Sequence, residues 1–446
     1  MSRSRSAPDR RGGEPLLEVS GLSKYFRSDG GLLASLRSSP DVEAVDDVSL
    51  DVYEGETLAL VGESGCGKST LARTILQLEQ PTAGSVRFRG RELTELSTAE
   101  LRPLRQDMMM IFQDPQSSLN PRMKVGAIVE EPMKAHDLHT PEERTTRAQS
   151  LLETVGLDSN HYDRYPHEFS GGQRQRINLA RALSTDPELI MCDEPVSALD
   201  VSVQAQVLNT MREIQEEFGV TYLFISHDLS VVRYIADRVA VMYLGHIAEL
   251  AEKEELFENP QHPYTEALLG AIPVPDPRES EVRGILQGDV PSPTDPPSGC
   301  RFRTRCPKLI QPGTHTVTDA DLSEAAAEAR LDRYNLSEPV WRRVLEFTRV
   351  VRRREFTVET ATRQRGSVYE YVEGKYFDGE LPGGEVGETI DDALVSIEND
   401  EWDDAAELLV DTFEEASICA AAVPDYEVPP AHGTQRHFAA CHLHRD

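Results

Sequence analysis

The segment Gly62-Glu63-Ser64-Gly65-Cys66-Gly67-Lys68-Ser69-Thr70 follows an apolar run, Thr57-Leu58-Ala59-Leu60-Val61, and precedes a helical pattern from Leu71 to Leu78. It fits G-x-x-x-x-G-K-[ST], the phosphate-binding loop, in the strand–loop–helix setting that the motif requires. Glycines let backbone N–H groups close around phosphates, and the helix N-terminus adds a partial positive charge. In this reading Lys68 reaches the β- and γ-phosphates and the Ser69 hydroxyl holds Mg2+. The implied ligand is a nucleoside triphosphate. A chance match is the competing reading.

The second half of the site weakens that competitor. Leu189-Ile190-Met191-Cys192-Asp193-Glu194-Pro195 reads as an apolar strand ending in two acids. Asp193 would hold the Mg2+ hydration shell, and Glu194 would polarise water for attack on the γ-phosphate. Phosphoryl transfer asks for little beyond positioning, charge neutralisation and an oriented nucleophile. The bland alternative is a strand followed by a solvated acidic turn, which a phosphate loop upstream disfavours.

Between these halves lies Phe169-Ser170-Gly171-Gly172-Gln173-Arg174-Gln175-Arg176, with Ser170 and the glycines opening a helix to about Leu183. Glycine at a helix start lets phosphates approach bare N–H groups, although Ser-Gly-Gly alone is more often a cap. The segment resembles the signature sequence of ATP-binding cassette (ABC) ATPases, with Phe169 where Leu is commoner. Phe112-Gln113-Asp114-Pro115 resembles their Q-loop, Ser197-Ala198-Leu199-Asp200 their D-loop, and His227 their switch histidine. Tyr25-Phe26 falls where an adenine-stacking aromatic is expected, and Phe26 aligns better. The resemblance covers about 16–272. It implies an α/β P-loop NTPase cassette with a helical subdomain over about 114–180. It also implies that Ser170 to Gln173 complete the nucleotide site of a second subunit packed head to tail, that Gln113 links metal to the membrane interface, and that His227 contacts the γ-phosphate.

A finer resemblance lies in Phe112-Gln113-Asp114-Pro115-Gln116-Ser117-Ser118-Leu119-Asn120-Pro121-Arg122, Tyr165-Pro166-His167-Glu168-Phe169 and His262-Pro263-Tyr264-Thr265-Glu266-Ala267-Leu268-Leu269. These are similar to the dipeptide and oligopeptide importer ATPases, and to the F-type more than the D-type of their two unlike ATPases. The resemblance implies a D-type ATPase partner, two membrane permease subunits and a solute-binding protein. It places the chain at the cytoplasmic face of the membrane. Nickel importers share much of the pattern, so the alternative cargo is nickel or another small solute. The rivals from other classes are an ABC ATPase of repair or translation and a silent regulatory nucleotide-binding module.

Bulk properties fit these expectations. No run approaches 18 apolar residues, so no membrane span is expected. The Arg- and Ser-rich start, about 1–14, reads as disordered and not as a secretory signal. A net charge of −31 argues against general nucleic-acid binding. Seven Lys beside 39 Arg and 77 acids suggest a salt-rich cytoplasm, where charge repulsion is screened; an ordinary acidic protein is the alternative.

At 446 residues the chain has room beyond the cassette, expected at 15–272. The Pro-rich stretch 273–297 reads as a linker. Gly299-Cys300-Arg301-Phe302-Arg303-Thr304-Arg305-Cys306-Pro307 then resembles the cysteine motif of the peptide-importer extension, whose further cysteines appear only near the end, as Cys419 and Cys441. The expected arrangement is an extension formed by 273–307 and 418–446, interrupted by an insertion over 308–417. Within the insertion, Val340, Trp341, Val344, Leu345 and Val351, and later Ile390, Leu394, Ile397, Trp402, Ala405, Leu408, Leu409 and Phe413, recur at helical spacing. Arg342, Arg343, Arg349 and 352–354 form a basic face, and 366–417 carries 17 acids against one Lys. Self-packing of the two and a solvated acidic face are both open. Cys66 and Cys192 read as small buried residues. Cys300, Cys306, Cys419 and Cys441 are candidate ligands: disulfides are rare in a cytoplasm, and four thiols suit zinc or an iron–sulfur cluster. Relatives with this pattern imply [4Fe–4S].

Overall fold

The computed structural model describes residues 13–27, 41–114, 118–271, 290–309, 336, 338–414, 417–421, 424, 426–428 and 437–441. Nearly all of the expected disordered start, most of the linker and the first part of the insertion lie outside these residues.

Two sheets carry the described residues up to Glu252. In the smaller one, β1 (Leu17–Phe26) pairs antiparallel with β2 (Val42–Val52) and with β4 (Ala83–Phe88), which carries β5 (Arg91–Glu92). The larger sheet holds β3 (Thr57–Val61), β6 (Met108–Ile111), β7 (Leu189–Asp193), β8 (Thr221–Ser226) and β9 (Arg238–Tyr243), all parallel, in the order β9-β3-β8-β7-β6. Every residue of β3, β7, β8 and β9 is buried, as strands covered on both faces must be. The alternation of strand and helix predicts this parallel sheet. It does not predict the second, antiparallel sheet, whose half-exposed strands pair residues far apart in sequence.

Helix α1 (Lys68–Ile75) follows β3, and α2 (Thr98–Leu104) precedes β6. The stretch expected to be helical contains α3 (Val125–Ala135), α4 (Pro141–Thr154) and α5 (Gly171–Leu183). Thr140 starts α4: its hydroxyl accepts from the Glu143 amide at 3.3 Å, the Glu143 carboxylate accepts from the Thr140 amide at 2.8 Å, and Pro141 fills the first helical position. Helices α6 (Val201–Phe218) and α7 (Leu229–Ile235) alternate with β8 and β9. Strand β10 (His246–Glu252), α8 (Lys253–Glu258) and α9 (Pro263–Gly270) follow.

Further along the chain, α10 (Glu338–Arg352), α11 (Val358–Arg365), α12 (Val368–Tyr376), α13 (Glu385–Glu398) and α14 (Trp402–Leu409) enclose a second core. It contains Trp341, Val344, Leu345, Val351, Ile390, Leu394, Ile397, Trp402, Ala405, Leu409 and Phe413. The basic helix faces the acidic segments: Arg352 pairs with the fully buried Glu414 at 2.9 Å, Arg354 with Asp403 at 2.6 Å, and Arg343 with Asp378. After the short α15 (Ile418–Ala421), β11 (Tyr426–Val428) and β12 (His437–Ala439) form a hairpin. Strand β12 adds to β10, and β10 to β9, so the end of the chain completes one edge of the large sheet. Among the described residues no helix is long and apolar enough to cross a membrane.

Candidate nucleotide site

The carboxyl ends of β3, β6, β7 and β8 converge, and the predicted residues lie just beyond them. The loop 62–67 joins β3 to α1 with positive φ at Gly62, Gly65 and Gly67. A Cβ on Gly62 would stand 2.1 Å from the Met242 carbonyl oxygen, and one on Gly67 would stand 2.0 Å from that of Ala44. These positions therefore require glycine for space as well as for φ. Cys66 is buried, Ser64 and Gly65 are exposed, and Ser69 and Thr70 are half-buried in the first turn of α1. Lys68 is buried and donates to the carbonyls of Gly62 at 2.8 Å and Glu63 at 2.9 Å.

The Ser69 hydroxyl donates to Asp193 Oδ1 at 2.8 Å. Asp193 is buried at the end of β7, and that burial pushes its carboxyl above the ordinary value despite the Ser69 hydrogen bond. A carboxylate so placed gains from a nearby cation, and a hydroxyl–carboxylate pair beside a phosphate loop is the donor set that Mg2+ takes. Glu194 follows with φ 47°, a strained backbone for a residue with a Cβ. Its carboxylate accepts from Gln113 Nε2 at 2.9 Å and stands 3.0 Å from His227 Nδ1. Gln113, Glu194 and His227 thus meet from the ends of three adjacent strands.

Ser170 caps α5 in a capping box with Gln173: the Gln173 amide donates to Ser170 Oγ at 3.4 Å, and the Ser170 amide donates to Gln173 Oε1 at 3.0 Å. Ser170 and Gly171 are exposed. A Cβ on Gly172 would meet the Val203 side chain at 2.2 Å, so this turn packs against α6, whose N-cap is the exposed Asp200. Of the two candidate aromatics, Phe26 is exposed with Lys24 over its ring, while the Tyr25 hydroxyl is committed to Asp46. Beside Phe112 a groove of about 360 Å³ is lined largely by apolar groups, among them Leu78, Met109, Met110 and Pro132.

The cysteines of the extension share one neighbourhood. The Cys300 amide donates to the Cys419 carbonyl at 2.7 Å. Burial pushes the Cys306 thiol well up, and the thiols of Cys419, Cys300 and Cys441 add to it. Among the described residues, however, no three His, Cys, Asp or Glu side chains are grouped to hold a metal ion. The donor types of Cys300, Cys306, Cys419 and Cys441 fit zinc or a cluster.

Sequence reasoning missed Arg305 and Tyr264 as neighbours of the phosphate loop: both reach Glu63, from 242 and 201 residues away. No local signal marks such a pair.

The family profile described as ABC transporter matches residues 45–197, and that of the oligopeptide/dipeptide transporter C-terminal region matches 248–311. A third, a domain of unknown function, matches 338–432. The oligopeptide transport ATP-binding protein AppF of Bacillus subtilis is 55% identical over 297 residues, which is 66% of this chain and 90% of that protein. OppF of Escherichia coli, of the same description, is 51% identical over 299 residues, again 66% of this chain and 90% of that protein. A solved dimeric ATP-binding cassette holding ADP and phosphate matches 53% of this chain and 98% of that one, with 28% identity and a TM-score of 0.48. The chain belongs to the ATP-binding proteins of the oligopeptide/dipeptide ABC transporters.

Proposed function

We propose that this chain is the ATP-hydrolysing subunit that energises an ABC importer for oligopeptides or dipeptides. The observation that carries the reading is the Glu194 carboxylate, held between Gln113 at 2.9 Å and His227 at 3.0 Å, beside the Ser69–Asp193 pair. ATP phosphates would lie in the loop 62–70, with Lys68 exchanging its loop carbonyls for phosphate oxygens and Phe26 offering its exposed face to adenine. Ser69, Gln113 and Asp193 would hold Mg2+, whose charge offsets that of the phosphates. Glu194 orients the attacking water, and His227 and Lys68 stabilise charge on the γ-phosphate.

The exposed Ser170–Gly171 turn, with Gly172, Gln173 and Asp200, would close the nucleotide site of a D-type partner. The apolar groove beside Phe112 would receive a helix of one of two permease subunits, with a solute-binding protein completing the importer. Its place is the cytoplasmic face of the membrane, held there by the permeases. The domain reading follows the same lines: a cassette over 15–272, an extension of 273–307 with 418–446, and an insertion between. Support for it comes from the Cys300–Cys419 contact and from β12, which bring both sides of the insertion back to the cassette. Cys300, Cys306, Cys419 and Cys441 are proposed as the seat of a [4Fe–4S] cluster or zinc, which iron and zinc analysis of anaerobically purified chain would test. The function itself is tested by the ATP turnover of the chain mixed with a D-type partner, which Glu194→Gln should abolish while ATP binding persists.

A further inference from the structure

The second residue of the phosphate loop is held at each of its polar groups. The Glu63 amide donates to the Tyr264 hydroxyl at 3.0 Å. The Glu63 carbonyl accepts from Lys68 Nζ at 2.9 Å. The carboxylate takes a forked pair from Arg305, Nη1 to Oε2 at 2.6 Å and Nη2 to Oε1 at 3.1 Å. A planar guanidinium matched to a carboxylate in this way fixes direction as well as distance. The Arg305 side chain is 5% exposed and that of Glu63 26%, so solvent screens the pair little. Arg305 is itself steadied by Tyr243, whose hydroxyl accepts from Nη1 at 3.3 Å and whose ring centroid lies 5.8 Å from the guanidinium.

The backbone on either side of Arg305 is held as well. Arg352 Nη2 donates to the Thr304 carbonyl at 3.2 Å, and Arg349 Nη2 donates to the Cys306 carbonyl at 2.5 Å. These carbonyls flank Arg305 in the chain, and the two arginines belong to α10 of the acidic module. Arg352 is in turn paired with the fully buried Glu414 at 2.9 Å. Polar contacts, joined through the backbone at 304–306, therefore lead from the module's interior to the lysine of the phosphate loop.

We propose that Arg305 is a positioning residue for the phosphate loop, and that α10 holds it in place through Arg349 and Arg352, tying nucleotide affinity to the inserted module. The inference rests on reading 62–70 as the nucleotide site. The loop's N–H groups converge only while its three positive-φ glycines keep their conformation. Glu63 lies between the first two of them. Without the fork, the loop must be ordered at the moment of binding, which weakens binding by that ordering cost. Chemistry after binding is then little changed.

The test titrates ATP with Mg2+ into the chain and its variants and measures kcat at saturating ATP with a D-type partner present. Arg305→Gln should weaken ATP affinity about three- to tenfold and leave kcat within about twofold of wild type, the split expected when only binding is lost. Glu63→Gln should weaken affinity to a similar degree, and the double variant should be no weaker than the worse single, because one interaction is removed twice. Arg305→Lys should restore part of the loss, since it keeps the charge without the fork. Arg352→Gln should move affinity the same way, by about twofold. Unchanged affinity in Arg305→Gln, or losses that add in the double variant, would overturn the proposal. If Arg305→Gln does not fold, Glu63→Gln decides: an equal loss supports the proposal and an unchanged affinity overturns it. A wild-type chain that binds no ATP overturns the site reading and the proposal together. A wild-type chain that binds ATP, with insensitive variants, overturns the positioning alone.

Discussion

Ser69 and Asp193 are 124 residues apart in the chain, yet the Ser69 hydroxyl donates to Asp193 Oδ1 at 2.8 Å. The hydrogen bond joins the first turn of α1 to the end of β7 and brings two oxygen ligands to one point. Burial, the larger influence, raises the Asp193 carboxyl above its ordinary 3.8. An ionised Asp193 thus costs the nucleotide-free fold stability.

Asp193→Asn should therefore raise the thermal midpoint of the nucleotide-free chain, by roughly 1–3 °C. The sign follows from linkage: an acid whose folded pKa is raised contributes stability at low pH and loses it as pH rises through that pKa. The gap between variant and wild type should open as pH climbs from the ordinary Asp value and become constant above the raised one. The same variant should lose most of the stabilisation given by Mg2+ with ATP. Scanning calorimetry across pH, with and without Mg–ATP, checks both; a variant less stable than wild type at neutral pH would refute the assignment.

Glu194→Gln should lower kcat by about 10²-fold or more while ATP still binds. The amide keeps the contact to Gln113 but cannot orient water as a carboxylate does. Single-turnover hydrolysis beside equilibrium ATP binding separates the two effects, and near-normal turnover would remove Glu194 from its role.

Ser170→Arg should leave ATP affinity of the isolated chain unchanged, because Ser170 is exposed and its described side-chain bond is to Gln173. Turnover with a D-type partner should fall by at least about tenfold, because the partner's phosphates lose their N–H donors to a bulky side chain. An isolated chain that hydrolyses ATP at full rate, regardless of dilution, would contradict a shared site.

Unfolding midpoints should rise with salt between 0.1 and 1 M, over which the Debye length falls from about 10 Å to about 3 Å. The cause is the 17 acids of 366–417 against one Lys. The exposed Arg354–Asp403 pair contributes little at any salt, so the trend should follow repulsion among the acids. A flat or falling trend in urea unfolding would count against a salt-adapted protein.

Local motifs were legible because each carries its own context. The loop 62–70 sits between a buried strand and a helix, and Asp193 ends an apolar run, so both are written within about ten residues. The helical module was legible from its period: most of the apolar residues that recur along α10, α13 and α14 form its core, while Val340 and Leu408 are half-buried at its margin. Contacts between distant segments were not legible. Nothing near Asp46 announces that His246 and Arg301 converge on it, or that Tyr25 does and so leaves Phe26 exposed. The three-residue β12 has no pattern of its own, since its pairing comes from β10 and β11. Cysteine spacing indicated chemistry but not geometry.

The pairing of β12 with β10 sets an order of events in the cell. His437 Nε2 stands 2.7 Å from Glu249 Oε1, both side chains are at most 1% exposed, and 188 residues separate them. Ribosomes deliver the cassette before this histidine. Until His437 is made, Glu249 has the amides of Gln261 and His262 as partners, and the edge of β10 stays open. Such an edge is a template for pairing with other chains. A nascent cassette is thus most vulnerable to aggregation during the time it takes to translate the module, and a message truncated before His437 would make that vulnerability permanent.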